Sequence, residues 1–281
     1  MYNRLIPGEG SASCAIPIPE GARRVYPSWG NGQFVICDSL GNYWTWISIL
    51  ELTPNGILNG LEDQRYGRRQ FGQTNFFAPT PFFSNKVYHE IILQEIVDMV
   101  LGNGGFYISS FPISREEDGI PRSIPDQFPW INVRCCEAMN LIPQMAGSGT
   151  MTRVPSGADF DTVAQSLIDS GALTYSEVTE DSSSWGNYYN STGKMEGFFK
   201  TYCPQHPEFC VNGIWHFAGN QGCITTECFD SSSDCPYICY RGGSYKDNGS
   251  SFPATIRSFA HVNRPVYDFG LHAVMYVNLR K

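Results

Sequence analysis

Six of the ten cysteines fall in one stretch of 37 residues: Cys203, Cys210, Cys223, Cys228, Cys235 and Cys239. Two histidines lie among them, giving Cys203-x2-His206-x3-Cys210-x5-His216. Three chemistries compete for this cluster. Disulfides would staple a long loop and restrict the unfolded chain, at about 2–4 kcal/mol each. A structural zinc ion would take four thiolate or imidazole ligands in a tetrahedron, with Cys203, His206, Cys210 and His216 as the candidates. Free thiols are the expectation for a chain kept in a reducing compartment. The spacing matches no paired C-x-x-C zinc signature, and all three readings stay open.

Catalytic constellations are scarce. The sequence holds no G-x-S-x-G, P-loop, H-E-x-x-H or dinucleotide fingerprint. Asp159 and Asp161 are two apart on an expected helix, so their side chains diverge. His89 reads as a helix residue and His272 as a strand residue near the last core layer. Cys135 and Cys136 are adjacent on an expected helix and face different ways, which puts at least one in the core. No catalytic residue is assigned and no cofactor is expected, beyond the open question of the metal.

The stretch 245–268 has a different character. Tyr245, Lys246, Asp247, Asn248, Ser250, Ser251, Phe252, His261, Asn263, Arg264, Tyr267 and Asp268 are polar or aromatic. Tyrosines give contact area at low entropic cost and small polar groups adapt their hydrogen bonds, as in antibody paratopes. The ligand-binding candidates are Tyr245, Lys246, Asp247, Asn248, Phe252, His261, Asn263, Tyr267 and Asp268. An ordinary solvated loop is the competing reading. Arg257 in the same stretch reads as scaffold.

These residues need elements to hold them. Gln33–Cys37 and Tyr43–Leu50 read as strands joined by a turn at Leu40-Gly41-Asn42. Segment 72–85, rich in Phe, Pro and Asn, reads as a packed loop. The apolar spacing predicts a helix from Tyr88 to Leu101, stopped by Gly102-Asn103-Gly104-Gly105. Gly105–Ser109 reads as a strand. Asn132 reads as the cap of a helix through Leu141. Ser156 and Asp159 make a capping box for a helix that buries Phe160, Val163, Ala164, Leu167 and Ile168 and ends at Gly171. Beyond Gly171 helical periodicity disappears, and some 110 residues of irregular chain follow.

Composition bounds the partners. The 281 residues are 16% charged and 14% aromatic, with 28 Gly, which points to a loop-rich fold with strands rather than to disorder. A net charge of -8 without clustered Lys or Arg argues against nucleic acid. No run of about 18 apolar residues exists, so no membrane span is expected. The amino-terminal residues lack the apolar stretch of a secretory signal, so the expected location is a virion or an extracellular site reached by signal-less release such as lysis, and otherwise the cytoplasm. The sequons at Asn190 and Asn248 would matter only in a eukaryotic secretory pathway.

Several strings then accumulate in order: Gly105-Phe106-Tyr107-Ile108-Ser109, Pro129-Trp130, Arg153-Val154-Pro155-Ser156-Gly157-Ala158-Asp159-Phe160, Ser184-Trp185-Gly186-Asn187-Tyr188, Phe217-Ala218-Gly219-Asn220 and Arg241-Gly242-Gly243-Ser244. Together, over roughly residues 104–277, they resemble the formylglycine-generating-enzyme (sulfatase-modifying factor) superfamily. The branch with a W-G-N-Y string resembles proteins of gut bacteria and their phages, including the variable proteins of diversity-generating retroelements. Gly67-Arg68-Arg69-Gln70-Phe71 resembles a string upstream in that branch.

The resemblance implies an α+β, C-type-lectin-like fold with two main helices, a small antiparallel sheet and long ordered loops. This domain would cover 88–281, behind a small β-rich attachment region at 1–87. Arg241, Arg257, Trp185 and Trp215 would be structural, with Arg241 bidentate to a carboxylate. The superfamily enzyme binds copper through two cysteines after its RGGS strand, but here Lys246–Lys281 contains no cysteine. The W-E-W that follows its AGN turn is replaced by Gln221-Gly222-Cys223-Ile224, which puts its calcium site in doubt. The expectation is therefore a non-catalytic ligand- or receptor-binding protein, a phage virion component or surface adhesin that recognises a host glycan or protein. Alternatives are a virion decoration protein contacting sister subunits or its own copies, and an enzyme of the superfamily.

Overall fold

The computed structural model of the chain describes residues 15–49, 88–89, 93–115, 117–192, 206–229, 237–265 and 267–278. The upstream string at 67–71, the loop at 72–85, Ile91, Ile92, Cys203 and Cys235 lie outside these residues.

In chain order the elements begin with β1 (Arg23–Val25), β2 (Val35–Cys37), β3 (Tyr43–Ser48), β4 (Tyr88–His89) and α1 (Gln94–Asn103). Next come β5 (Gly105–Ser109), β6 (Ser114–Arg115), β7 (Pro121–Arg122), α2 (Cys135–Leu141), β8 (Thr150–Arg153), α3 (Gly157–Asp169) and α4 (Tyr175–Thr179). The last are β9 (Cys210–Val211), β10 (Ile214–Trp215), β11 (Gly222–Phe229), β12 (Tyr237–Arg241), β13 (Arg257–His261), β14 (Phe269–Gly270) and β15 (Val274–Val277). Helices and mainly antiparallel sheets are mixed without regular βαβ units, so the fold is α+β.

One sheet runs β1-β2-β3-β5-β15-β8, all antiparallel. Its centre is buried on both faces, and alternation divides it cleanly. Phe106, Ile108, Val274 and Tyr276 enter one core with Ile96 and Val100 of α1 and Phe160, Val163 and Leu167 of α3. Tyr107, Met275, Val277, Trp44 and Trp46 enter the other core with Cys135 and Ala138 of α2. The β3–β5 ladder joins strands from either side of the expected 87/88 boundary, with Trp46 opposite Tyr107. The second sheet runs β13-β12-β11-β14, with β4 paired to the far end of β11. β14 is parallel to β11, and the other pairings are antiparallel.

Local chemistry accounts for most boundaries. The β2–β3 turn is locked by Asp38, whose carboxylate accepts from Leu40 N (2.8 Å), Asn42 N (2.9 Å) and Trp44 Nε1 (2.8 Å). Gly104, in the left-handed region at φ 71, closes α1 where a side chain would be strained. Ser156 Oγ accepts from Asp159 N at 3.0 Å, and Asp159 Oδ2 accepts from Ser156 N at 2.7 Å, so the capping box with aspartate forms.

Three expectations shift. The helix expected from Tyr88 starts at Gln94, because Tyr88–His89 pairs with Cys228 and Phe229 as a strand. The helix expected after Asn132 is capped at Arg134, and Asn132 instead takes a left-handed conformation at φ 56. Helical structure also continues past Gly171: Thr174 and Glu177 form a second capping box that starts α4.

Candidate functional site

Four charged side chains meet in the interior between α3 and the second sheet. Arg241 ends β12 and Arg257 starts β13, and the two are direct cross-strand partners. Like charges set opposite each other repel. Asp161 from α3 and Glu227 from β11 answer them. Arg241 Nη2 donates to Asp161 Oδ1 at 2.6 Å, and Arg241 Nη1 to Glu227 Oε2 at 3.0 Å. Arg257 Nε donates to Glu227 Oε1 at 2.8 Å, and its Nη2 lies 3.3 Å from Asp161 Oδ2.

All four are buried, and two cations balance two anions. The Arg241 guanidinium also lies 4.8 Å from the centroid of the Phe160 ring. Burial opposes the charge on Arg241, but Asp161 and Glu227 outweigh it and hold its pKa above the usual arginine value. Arg241 therefore bonds one oxygen of each of two carboxylates, where a bidentate bond to a single carboxylate was expected, and Arg257 is buried in the same network. Trp185 and Trp215 are buried as expected, and Trp185 Nε1 donates to Glu177 O at 3.0 Å.

After three further buried residues, Gly242 to Ser244, the chain reaches the surface at Tyr245 and Lys246. Lys246 Nζ lies 5.3 Å from the Tyr245 ring centroid and 5.0 Å from that of Tyr267. Tyr267 is 51% exposed. Beneath them Asp247 Oδ2 accepts from Ser244 N at 2.8 Å and Ser244 Oγ at 2.9 Å, with Asp268 Oδ2 3.3 Å from the same hydroxyl. Burial raises the Asp247 pKa, the hydrogen bonds from Ser244 work against this, and the neighbouring Asp268 charge adds to it.

A second loop zips onto this one. Tyr189 N donates to Asp247 O at 3.1 Å, Asn248 Nδ2 to the Tyr189 hydroxyl at 3.1 Å, and Gly249 N to Asn190 Oδ1 at 2.9 Å. Tyr189 is 50% exposed whereas Tyr188 is fully buried, its hydroxyl donating to Gly242 O at 2.7 Å. Sequence reading missed Tyr189 and Asn190. The turn closed by Ser191 N donating to Tyr188 O at 3.1 Å turns one ring of the tyrosine pair inward and leaves the other outside.

The structure thus gathers Tyr245, Lys246, Asp247, Asn248, Tyr267 and Asp268 on one face. Phe252 is half-buried beside it, its backbone N donating to Asn248 O at 2.8 Å. His261 and Asn263 are elsewhere. Arg257 pairs with Arg241 while His261 pairs with Tyr237, so His261 sits four residues along the ladder, roughly 13 Å away. Its ring meets Tyr237 edge-on with centroids 5.8 Å apart.

The cysteine–histidine cluster does not converge among the described residues. No disulfide links two of the described cysteines. His206 Nδ1 lies 2.9 Å from Glu208 Oε1, and its ring stacks on Phe209. Cys210 Sγ donates to Trp29 O at 3.4 Å, and His216 is buried against Phe209 and Trp215. No group of three or more metal-ligating side chains occurs among the described residues. Burial pushes the Cys210 and Cys223 thiols up to about 12. Cys135 is buried and Cys136 exposed. Among the described residues no helix is long and apolar enough to cross a membrane.

No family model matches the chain, and no curated protein matches it. Among solved structures it is similar to CarF at 13% identity and a TM-score of 0.42, over 62% of this chain and 87% of that one. It is similar to Treponema denticola variable protein 1 at 12% identity and a TM-score of 0.38, over 61% of this chain and 84% of that one.

Proposed function

We propose that this chain is a non-catalytic ligand-binding protein with a C-type-lectin-like arrangement. In this reading the buried charge quartet is the scaffold, and the loops at 181–192, 244–252 and 267–268 form the recognition face. The observation that carries it is the Tyr245–Lys246–Tyr267 cluster, which stands at the surface a few residues from the buried, ion-paired Arg241. A rigid base under exposed rings and small polar groups limits the entropy lost on binding.

Several of the described groups that could do covalent or acid–base work are withdrawn. Asp161 and Glu227 are locked by the arginines. Cys223 and Cys239 are buried with their thiols pushed up, and no cysteine follows Cys239. In the same proposal the protein serves as a virion component or surface adhesin, with a host-surface glycan or protein as its target.

The test is capture by the purified chain on arrays of oligosaccharides and host-surface proteins, repeated with Tyr245→Ala/Tyr267→Ala. Capture by the native chain should be lost in the double variant. Its melting temperature should stay within about 2 °C of the parent, as expected where surface changes stay near 0.5 kcal/mol. Unchanged capture, or a large loss of stability, overturns the reading.

A further inference from the structure

Charge on this face says more about what it holds. Its three loops carry the carboxylates of Asp181, Asp247 and Asp268 and one ammonium, that of Lys246. Packing draws the loops together. Asp181 precedes Ser182, whose N donates to Gly249 O at 3.1 Å, and Asp247 and Asp268 share the Ser244 hydroxyl. Each carboxylate uses one oxygen inward: Asp181 Oδ1 accepts from Ser183 N at 3.0 Å, Asp247 Oδ2 from Ser244 N, and Asp268 Oδ2 from Ser244 Oγ. Among the described residues no group donates to the second oxygen of any of them. Lys246 answers Asp247, whose pKa it lowers, and the loops hold no further cation for Asp181 and Asp268. Just outside the loops, the exposed Glu180 and Arg264 offset each other.

The rings of this face point to the same kind of ligand, and the chain itself already seats one cation on them. Lys246 Nζ stands 5.3 Å and 5.0 Å from the Tyr245 and Tyr267 centroids, close enough for a ring face to attract it. Tyr189 is 50% exposed, its backbone N is bonded to Asp247 O, and among the described residues no cation lies over its ring. Exposed ring faces beside carboxylate oxygens are what a lysine or arginine side chain takes. The ring meets its charge and the carboxylate accepts its N–H groups.

Resting on the binding reading above, we infer that this face takes a basic segment of a partner protein. Lys or Arg side chains of that segment would lie over Tyr189 and Tyr267 and pair with Asp181, Asp247 and Asp268. Carboxylates on three separate loops match several cations along one peptide better than they match one small amine. The chain's net charge of -8 acts in the same direction, since it speeds encounter with a basic partner. A neutral glycan would use the rings and leave the carboxylates without a counter-ion.

The experiment titrates the full chain with a labelled peptide of repeated Gly-Arg-Ser-Lys. Peptides of repeated Gly-Gln-Ser-Gln and Gly-Glu-Ser-Glu, of the same length, and lactose serve as comparisons. The basic peptide should bind, and the others should bind about tenfold or more weakly. Asp181→Asn/Asp268→Asn should weaken the basic peptide about tenfold or more, the loss expected for charged hydrogen bonds. Lys246→Gln removes a like charge from the face and should tighten it about threefold. This second variant alters one exposed side chain, so it reads the charge of the face even where the aspartate variant folds poorly. Asp98→Asn/Asp126→Asn makes the same change in net charge outside the three loops and should leave binding within about twofold of the parent. Equal losses in the two aspartate variants, or weaker binding by Lys246→Gln, overturn the inference. A glycan or neutral peptide bound equally by the native chain and Asp181→Asn/Asp268→Asn, yet lost in the tyrosine double variant, overturns the basic partner and leaves the binding reading intact. No binding of any probe by the native chain, on these titrations and on the arrays, overturns both.

Discussion

Gly157 faces the carboxylate of Glu227 so closely that a Cβ there would lie 2.3 Å from Glu227 Cδ. The first turn of α3 is thereby fitted to the anion that holds both arginines. Gly157→Ala should push Glu227 off Arg241 and Arg257 and destabilise the protein by about 3 kcal/mol or more, combining overpacking with a disturbed buried charge. Urea unfolding measures this. An alanine variant with an unchanged midpoint would mean that the carboxylate can move at no cost.

Arg241 and Glu227 belong to one balanced network, so their substitutions should not add. R241M leaves a surplus of buried negative charge and should cost about 3–5 kcal/mol. Combining it with E227M leaves the neutral pair Asp161–Arg257. The double variant should therefore lose at least about 1 kcal/mol less than the two single losses together. Strict additivity in a double-mutant cycle would contradict the network.

Asp247 should make the binding face more stable in acid. Its folded pKa is raised by burial, so its contribution is fully present below the unfolded value and is lost as pH rises through the folded one. Asp247→Asn keeps an acceptor for Ser244 N and cannot ionise. It should melt above the parent at pH 7, with the advantage gone near pH 3. Scanning calorimetry across that range checks the sign, and a lower melting temperature at pH 7 would refute it.

His272 should act in the opposite direction. Burial lowers its pKa from 6.5 to about 4, and Ser109 Oγ and O each lie 3.0 Å from its Nδ1. Between those values the unfolded chain holds a proton that the folded one does not, so stability falls as pH drops through this window. The full effect is about 3 kcal/mol. Ring resonances followed by NMR should show no titration above pH 5, and His272→Gln should flatten the acid limb of the unfolding curve.

What could be read from the sequence was mostly what is decided within a few residues. The Ser156–Asp159 box, the turn before Tyr43 and the stop at Gly104 depend on neighbours, and they formed as expected. Thr174 and Glu177 carried the same kind of signal and went unread, because the glycines and serines around them masked a five-residue helix. Tyr88–His89 looked helical because apolar spacing cannot register a partner strand some 140 residues later. Arg241 showed its need for a carboxylate, but not that Asp161 and Glu227 would both supply one. The binding candidates were chosen as one continuous stretch. The β12–β13 ladder then carried His261 away from Tyr245, while the return to β14 brought Tyr267 back beside it.

The ladder between β3 and β5 governs how this protein can be cut. Residues 15–49 supply three of the six strands in the first sheet, and β5 is an interior strand only because Trp44–Ser48 hydrogen-bonds along it. A fragment beginning near residue 88 would expose that strand as a long, apolar, open border. Such borders template aggregation. Expression as inclusion bodies would then report a missing flank, and not an inability of the remaining chain to recognise its target.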